Sequence, residues 1–368
     1  MKITCLTSSR ADYGILSPLL KLITKSSNFS LDIIAFGTHN SKEHGYTVQE
    51  IINDNYFKKL YKFETIPKLD TPGSIIESIS KCINVFGSFF EKYRTDLVIC
   101  LGDRYEMFAA CSGIFPYGIK IAHISGGEET FGSTDNFYRH AITLMSTYHF
   151  ASTKIYQNRI INIIGNKKNV FNVGALNIDN LSKIHFLTRV KFKEKYGIEI
   201  KTKSILITFH PETINFKNNL RNITELINAL SELKEYQLII TMPNADVNGS
   251  MIRSHLEKFV IINKNAIAVK SLGMIGYLSC MKYCRMMLGN SSSGFVEASF
   301  FSKYVINLGK RQDGRILTPN IKSIPILKDD ILKSVKLFNP KKYIKKSNIY
   351  GRGDTASKIV ELLKTQFI

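Results

Sequence analysis

The sequence predicts an α/β fold built from two similar, doubly wound parallel halves. Three observations predict it. Short β-type runs alternate with stretches of helical periodicity along almost the whole chain. Residues 96–101 and 119–124 read as continuous buried strands, as in a parallel sheet covered on both faces. The same rhythm then restarts after about residue 174. A length of 368 residues suits two domains at roughly 150 residues each.

Residues 3–7 form the first strand, and Leu16, Leu19, Leu20 and Ile23 follow at helical spacing. Residues 31–36 form a second strand. Ile75, Ile79, Ile83 and Phe86 mark a helix that Pro72-Gly73-Ser74 starts. The strands at 96–101 and 119–124 complete the first half. Asn172-Val173-Gly174-Ala175-Leu176-Asn177 reads as a strand end and a turn, and a boundary is expected there. In the second half, strands are expected at 204–208, 237–241, 266–270, 285–288 and 304–308. Leu220, Ile223, Leu226, Ile227 and Leu230 lie on one helical stripe between them. A last helix, about 355–363, follows Gly351-Arg352-Gly353-Asp354. In such folds ligands bind beyond the carboxyl ends of the strands, so a cleft between the halves is the expected binding place.

Composition narrows the function classes. Hydrophobic residues are 44% and charged residues 22%, which excludes a disordered chain. No apolar run approaches the roughly 18 residues of a membrane span, so no membrane partner is expected. Cys5, Cys82, Cys100, Cys111, Cys280 and Cys284 form no metal-type pattern and read as buried thiols in a reducing cytoplasm. The net charge is +20. Nucleic acid, an anionic surface and a phosphorylated small molecule all suit it. The lysines are spread along the chain, densest at 341–346 without interleaved aromatics, which favours a solvated surface over a nucleic-acid partner. Nicotinamide (GxGxxG) and Walker (GxxxxGK[ST]) patterns are absent.

The residues with chemistry sit where strands end. Ser8-Ser9-Arg10-Ala11-Asp12 follows the first strand, and an arginine at a strand–helix turn suits an anion; a surface arginine beside an N-cap serine is the alternative. Asp103 and Arg104 follow the strand at 96–101, where Asp103 also suits a helix N-cap. After 119–124 comes a cluster of Glu128, Asp135, Arg139 and His140 around Gly126-Gly127, with acidic residues placed for general acid and base work. Asp135 also suits a cap on a helix beginning near Phe137. His210, stiffened by Pro211, ends the strand at 204–208, and Asn244 follows the strand at 237–241. Asn290-Ser291-Ser292-Ser293-Gly294 joins a strand to a helix and offers amides and hydroxyls to a diphosphate, with Glu297 suited to ribose hydroxyls and Arg311 completing a clamp.

Six motifs in order now carry a resemblance. Ser9-Arg10-Ala11-Asp12-Tyr13-Gly14, Leu101-Gly102-Asp103-Arg104-Tyr105-Glu106, Gly126-Gly127-Glu128, Arg139-His140-Ala141-Ile142-Thr143, Phe209-His210-Pro211-Glu212-Thr213 and Gly289-Asn290-Ser291-Ser292-Ser293-Gly294 resemble the hydrolysing UDP-N-acetylglucosamine 2-epimerases of bacterial sialic-acid and nonulosonic-acid biosynthesis. The resemblance implies two Rossmann-like domains, 1–174 and 175–350, in a glycosyltransferase-B-like arrangement, with 351–368 packing back on the first. It implies conversion of UDP-N-acetylglucosamine and water to N-acetylmannosamine and UDP, through UDP elimination to a 2-acetamidoglucal and hydration. No cofactor or metal is implied, and a homo-oligomer, dimer or tetramer, is. By position, Asp103, Glu128 and Asp135 are implied for proton transfer and His210 for the departing diphosphate. Arg10, Asp12, Arg104, Arg139, His140, Asn244, Ser291, Ser292, Ser293, Gly294, Glu297 and Arg311 are implied for UDP and sugar. Ser125 stands where relatives often carry Glu, and Asn136 replaces a second acid. These departures also resemble the legionaminic-acid branch, whose substrate is a nucleotide-linked 2,4-diacetamido-2,4,6-trideoxyglucose. A retaining UDP-sugar glycosyltransferase of the same architecture is the alternative from another enzyme class.

Overall fold

The computed structural model describes residues 1–367 apart from 43–44, 70, 244–246, 270–271 and 339–346. Asn244 and the lysine cluster at 341–346 lie outside the described residues. The chain divides into two compact units. One comprises Met1–Glu128, Asp135–Lys183 and Ile349–Ile368; the other comprises Glu129–Thr134 and Ile184–Asn348.

The first unit runs β1 (Lys2–Thr7), α1 (Arg10–Lys25), β2 (Ser30–Ala35), α2 (Val48–Asp54), β3 (Lys59–Lys62), α3 (Pro72–Lys92), β4 (Leu97–Leu101), α4 (Tyr105–Ile114), β5 (Lys120–Ile124), α5 (Asp135–Met145), β6 (Tyr148–Ala151), α6 (Lys154–Ile164), β7 (Val170–Asn172) and α7 (Leu176–Lys183). Its strands pair in parallel in the order β3-β2-β1-β4-β5-β6-β7. All five residues of β4 are buried, because helices cover both faces of the sheet. Thr71 caps α3 by accepting from the Ser74 amide, and Pro72 opens its first turn, where the missing N–H costs nothing.

The second unit runs α8 (Arg189–Tyr196), β8 (Ser204–Thr208), α9 (Asn219–Glu232), β9 (Gln237–Thr241), α10 (Gly249–Ile262), β10 (Ala266–Val269), α11 (Gly273–Tyr283), β11 (Met286–Gly289), α12 (Glu297–Phe300), β12 (Val305–Leu308), β13 (Ile321–Ile324) and α13 (Lys328–Lys336). Its parallel order is β10-β9-β8-β11-β12-β13, the pattern of the first sheet repeated. Ile223, Leu226 and Leu230 of the α9 stripe are buried in this unit's core, while Leu220 is exposed at the first turn.

The last helix, α14 (Thr355–Phe367), belongs to the first unit. Ala356, Ile359, Val360 and Leu363 join its core. Burying an aliphatic side chain the size of Ile359 or Leu363 stabilises by roughly 1.5–3 kcal/mol. Asp179 of α7 accepts from the Thr355 amide at 3.0 Å and the Ala356 amide at 2.7 Å, satisfying two N-terminal donors of α14.

Each predicted strand is present. Four more are described, of which the sequence pattern marked only the end of one, at Asn172. β3 and β13 are four-residue sheet edges, each half polar, β7 is a three-residue edge, and β6 carries His149 inside it. The six cysteines are free and buried, as read from the sequence. Among the described residues no helix is long and apolar enough to cross a membrane.

Candidate active site

In each sheet the strand order reverses at one point, between β1 and β4 and between β8 and β11. A sheet of this kind leaves an opening beyond the strand ends at that point, because the following helices leave on opposite faces. Segments after β1, β4, β8 and β11 hold most of the residues singled out from the sequence.

After β1, Ser9 caps α1 in a capping box with Asp12. The Asp12 carboxylate accepts from the Ser8 amide at 2.7 Å, the Ser8 hydroxyl at 2.9 Å and the Ser9 amide at 3.1 Å. Asp12 therefore builds the turn. Burial pushes its carboxyl above the usual carboxylate range. Arg10 is half-buried at the first helical position and makes no hydrogen bond or ion pair among the described residues. It is the group this turn presents.

After β4, Arg104 occupies the N-cap of α4, so the capping role considered for Asp103 does not hold. The Asp103 carboxylate, 25% exposed, instead pairs with the guanidinium of Arg139, 1% exposed. Arg139 also donates to the Glu128 carbonyl at 2.8 Å and to the Asn136 side-chain oxygen at 3.4 Å. So deep an arginine organises the groups around it, the Asp103 carboxylate among them. Arg104 donates twice to Glu106, at 3.1 and 3.2 Å.

After β5 the chain turns through Ser125, Gly126 and Gly127. Ser125 holds φ +64°, a left-handed conformation that costs a non-glycine residue on the order of 1–3 kcal/mol, and its amide donates to the Phe150 carbonyl at 3.1 Å. A Cβ at Gly126 would lie 2.9 Å from His123 Nδ1 and 3.0 Å from the Thr143 hydroxyl, so only glycine fits. Glu128 is buried and accepts from the Ser152 hydroxyl at 2.9 Å. The helix α5 begins at Asp135 itself, two residues before the expected start, so Asp135 lies in the first turn and not at a cap. His140 is half-buried, and burial and the charges of Arg139 and Arg159 lower its pKa.

The second unit assembles a different chemistry. His210 follows β8, and Asn290 follows β11. The His210 amide donates to the Asn290 side-chain oxygen at 2.7 Å, and the Asn290 amide nitrogen donates back to the His210 carbonyl at 2.8 Å. Gln312 donates to the Asn290 carbonyl at 3.0 Å and Arg311, 8% exposed, at 3.4 Å. The serine turn therefore lies beside both His210 and Arg311. Ser291 caps a single 3₁₀ turn, Ser292–Gly294, and Ser292 is exposed. Ser293 is engaged with the Tyr277 hydroxyl at 2.6 Å. Burial pushes the Tyr277 phenol up to about 12. Glu297 opens α12.

The six-residue segment Glu129–Thr134 packs within this second unit. The Phe131 amide donates to the Asp313 carbonyl at 2.8 Å, and the Thr134 amide donates to the Thr213 hydroxyl at 2.9 Å. A Cβ on Gly132 would lie 2.3 Å from the Lys310 carbonyl oxygen, so the two backbones touch beside Arg311.

The first unit thus gathers Asp103, Glu128, Asp135, Arg139 and His140 near the switch point of its sheet, and the second gathers His210, Ser291, Ser292, Ser293, Gly294 and Arg311 near its own. Asn290, Tyr277, Gln312, Asn136 and His123 take part without having been assigned a role; Asn290 was quoted in the serine turn and Asn136 as a departure from relatives, while Tyr277 had no signal in the sequence. Among the described residues no group of three or more His, Cys, Asp or Glu is arranged to hold a metal.

Residues 21–364 match the family model described as UDP-N-acetylglucosamine 2-epimerase. The chain belongs to this family. It is 37% identical to a Campylobacter jejuni protein named GDP/UDP-N,N'-diacetylbacillosamine 2-epimerase (hydrolyzing), over 87% of this chain and 83% of that one. It is 32% identical to a Legionella pneumophila protein named UDP-N,N'-diacetylbacillosamine 2-epimerase (hydrolyzing), over 99% and 96%. The fold is similar to the crystal structure of a Methanocaldococcus jannaschii UDP-GlcNAc 2-epimerase in complex with UDP-GlcNAc and UDP, with a TM-score of 0.83 at 20% identity over 99% and 100% of the chains. The epimerase fold, two Rossmann-like domains, is the one expected from the sequence.

Proposed function

We propose that this epimerase-family chain is a hydrolysing 2-epimerase of a nucleoside-diphosphate-linked 2-acetamido sugar, with nucleotide-linked N,N'-diacetylbacillosamine as its substrate. The observation that carries the reaction is the division of chemistry between the two switch points: carboxylates near one, a histidine, arginine and hydroxyl turn near the other. The substrate reading is supported by the names of two relatives at 37% and 32% identity.

The reaction proceeds in two stages. A carboxylate takes the C2 proton while the C1–O bond breaks and the nucleoside diphosphate leaves, giving a 2-acetamido glycal. Water then adds its hydroxyl to C1, and a proton returns to C2 on the opposite face. Inversion requires removal and return of the proton by groups on different faces, so at least two acid–base residues are needed. Asp103, Glu128 and Asp135 supply them. Glu128 fills the work that Ser125, lacking a carboxylate, does not do. His210 and Arg311 meet the charge that develops on the departing diphosphate. Arg10, Ser291 and Ser292 hold the nucleotide, Glu297 the ribose, and Arg104 and His140 orient the sugar or the carboxylates.

The description of the family supports a second substrate, UDP-N-acetylglucosamine, which differs from the first at C4 and C6. Incubation with each nucleotide sugar separates the two. The first reading expects faster turnover of the diacetamido sugar; faster turnover of UDP-N-acetylglucosamine replaces it with the second.

A further inference from the structure

We propose that His123 is a positioning residue for the proton-transfer step, a buried imidazole on which the segments carrying Asp103, Glu128 and Arg139 are all set. The inference rests on the proton-transfer roles proposed above for Asp103 and Glu128.

His123 lies on β5 and is fully buried. Its Nε2 is 2.8 Å from the carbonyl of Gly102, the residue before Asp103. Its Nδ1 is 3.2 Å from the Thr143 hydroxyl on α5. That hydroxyl lies 3.0 Å from the carbonyl of Arg139, whose side chain pairs with Asp103. The space above the ring admits no side chain at Gly126, so the turn leading to Glu128 rests directly on the imidazole. One ring therefore touches the loop after β4, the loop after β5 and the helix that holds Arg139.

The hydrogen bonding assigns the tautomer. A carbonyl only accepts, so Nε2 carries the hydrogen and donates to Gly102, which leaves Nδ1 unprotonated against the Thr143 oxygen, whose one hydrogen is shared between Nδ1 and the Arg139 carbonyl. Burial holds the His123 pKa at about 3, with His149 and His140 the nearby titratable groups that lower it further. A ring that stays neutral and has both nitrogens occupied does not shuttle protons near neutral pH. Its contribution is geometric, and a displacement of about 1 Å in reacting groups costs on the order of 100-fold in rate.

Two variants and one spectrum test this. His123→Met keeps the length of the side chain without the donor; His123→Gln keeps an N–H at the place of Nε2. His123→Met is expected to lower kcat on the order of 100-fold with KM and UDP affinity nearly unchanged, and His123→Gln to restore most of that loss. The ¹⁵N spectrum of the wild-type imidazole is expected to show a neutral ring protonated at Nε2. Equal activity of His123→Met and wild type, no recovery in His123→Gln, or a ring protonated at Nδ1 would overturn the proposal. If His123→Met does not fold, a kcat of His123→Gln far below the wild-type rate overturns it equally. A wild type that turns over neither nucleotide sugar refutes the proposed function instead, and the tautomer alone then decides whether His123 holds Gly102.

Discussion

Gly102 turns the chain at the end of β4 with φ +84°, and the next residue, Asp103, meets a guanidinium buried under α5. If Asp103 transfers a proton, Asp103→Asn lowers kcat by about 10²–10⁴-fold and leaves UDP affinity unchanged, as steady-state kinetics and calorimetry would report; a wild-type rate removes Asp103 from the mechanism. Arg311 stands beside the serine turn, and a charge-assisted hydrogen bond contributes about 1.5–3 kcal/mol. Arg311→Ala is then expected to weaken UDP binding roughly 10- to 150-fold. The buried histidines make a further prediction. His39 and His149 are held at about 4 and His123 at about 3, against an ordinary 6.5, because burial disfavours the charged ring. Unfolding lets each take up a proton below 6.5. Their stabilisation is complete above that pH and is lost as the pH falls toward 4, at up to roughly 1.4 kcal/mol per pH unit for each ring. Urea midpoints measured from pH 7 to 4 check the slope. At this scale the sequence displayed the polar residues that follow strands, because their neighbours in the chain form a recognisable turn. Tyr277 was silent, and Asn290 showed only as part of the serine turn: their partners Ser293 and His210 lie 16 and 80 positions away.

Helix α14 is held to the first unit by apolar burial and by one carboxylate from α7. Asp179→Ala removes the acceptor of two amide hydrogen bonds, each charge-assisted, and is expected to destabilise by about 2–4 kcal/mol in thermal or urea unfolding. An unchanged midpoint would mean that solvent satisfies the helix end as well. The Gly132 backbone contact with Lys310 has a functional consequence. Gly132→Ala forces the two backbones apart and is expected to cost about 1–3 kcal/mol while weakening UDP binding through Arg311, which a binding titration reads. Strands and helices with continuous apolar runs or a single stripe were legible, since burial on two faces or one leaves a plain pattern. β3 and β13 were not, and of β7 only the end at Asn172 was, because these edge strands are three or four residues long and carry polar residues without a periodic pattern. The helix start at Asp135 was misplaced because an acidic residue is at home both at a cap and in the first turn.

Across the whole molecule the strand order of one sheet is repeated in the other, and both halves carry their polar segments after the strands that flank the reversal and after the next strand outward, β5 or β12. That repetition was visible as the restart of the β–α rhythm, whereas the substrate was not, because C4 and C6 of a sugar are read by shape and not by a motif. The net charge of +20 suits an anionic nucleotide substrate, drawn by the field of a lysine-rich surface. Incubation of the enzyme in heavy water with each nucleotide sugar, followed by proton NMR, tests the central claim most directly. The account predicts release of the nucleoside diphosphate together with a free sugar inverted at C2 and deuterated there, with the diacetamido sugar turned over faster. Retention of the original proton at C2, or release of nucleotide only when an acceptor sugar is added, would contradict it.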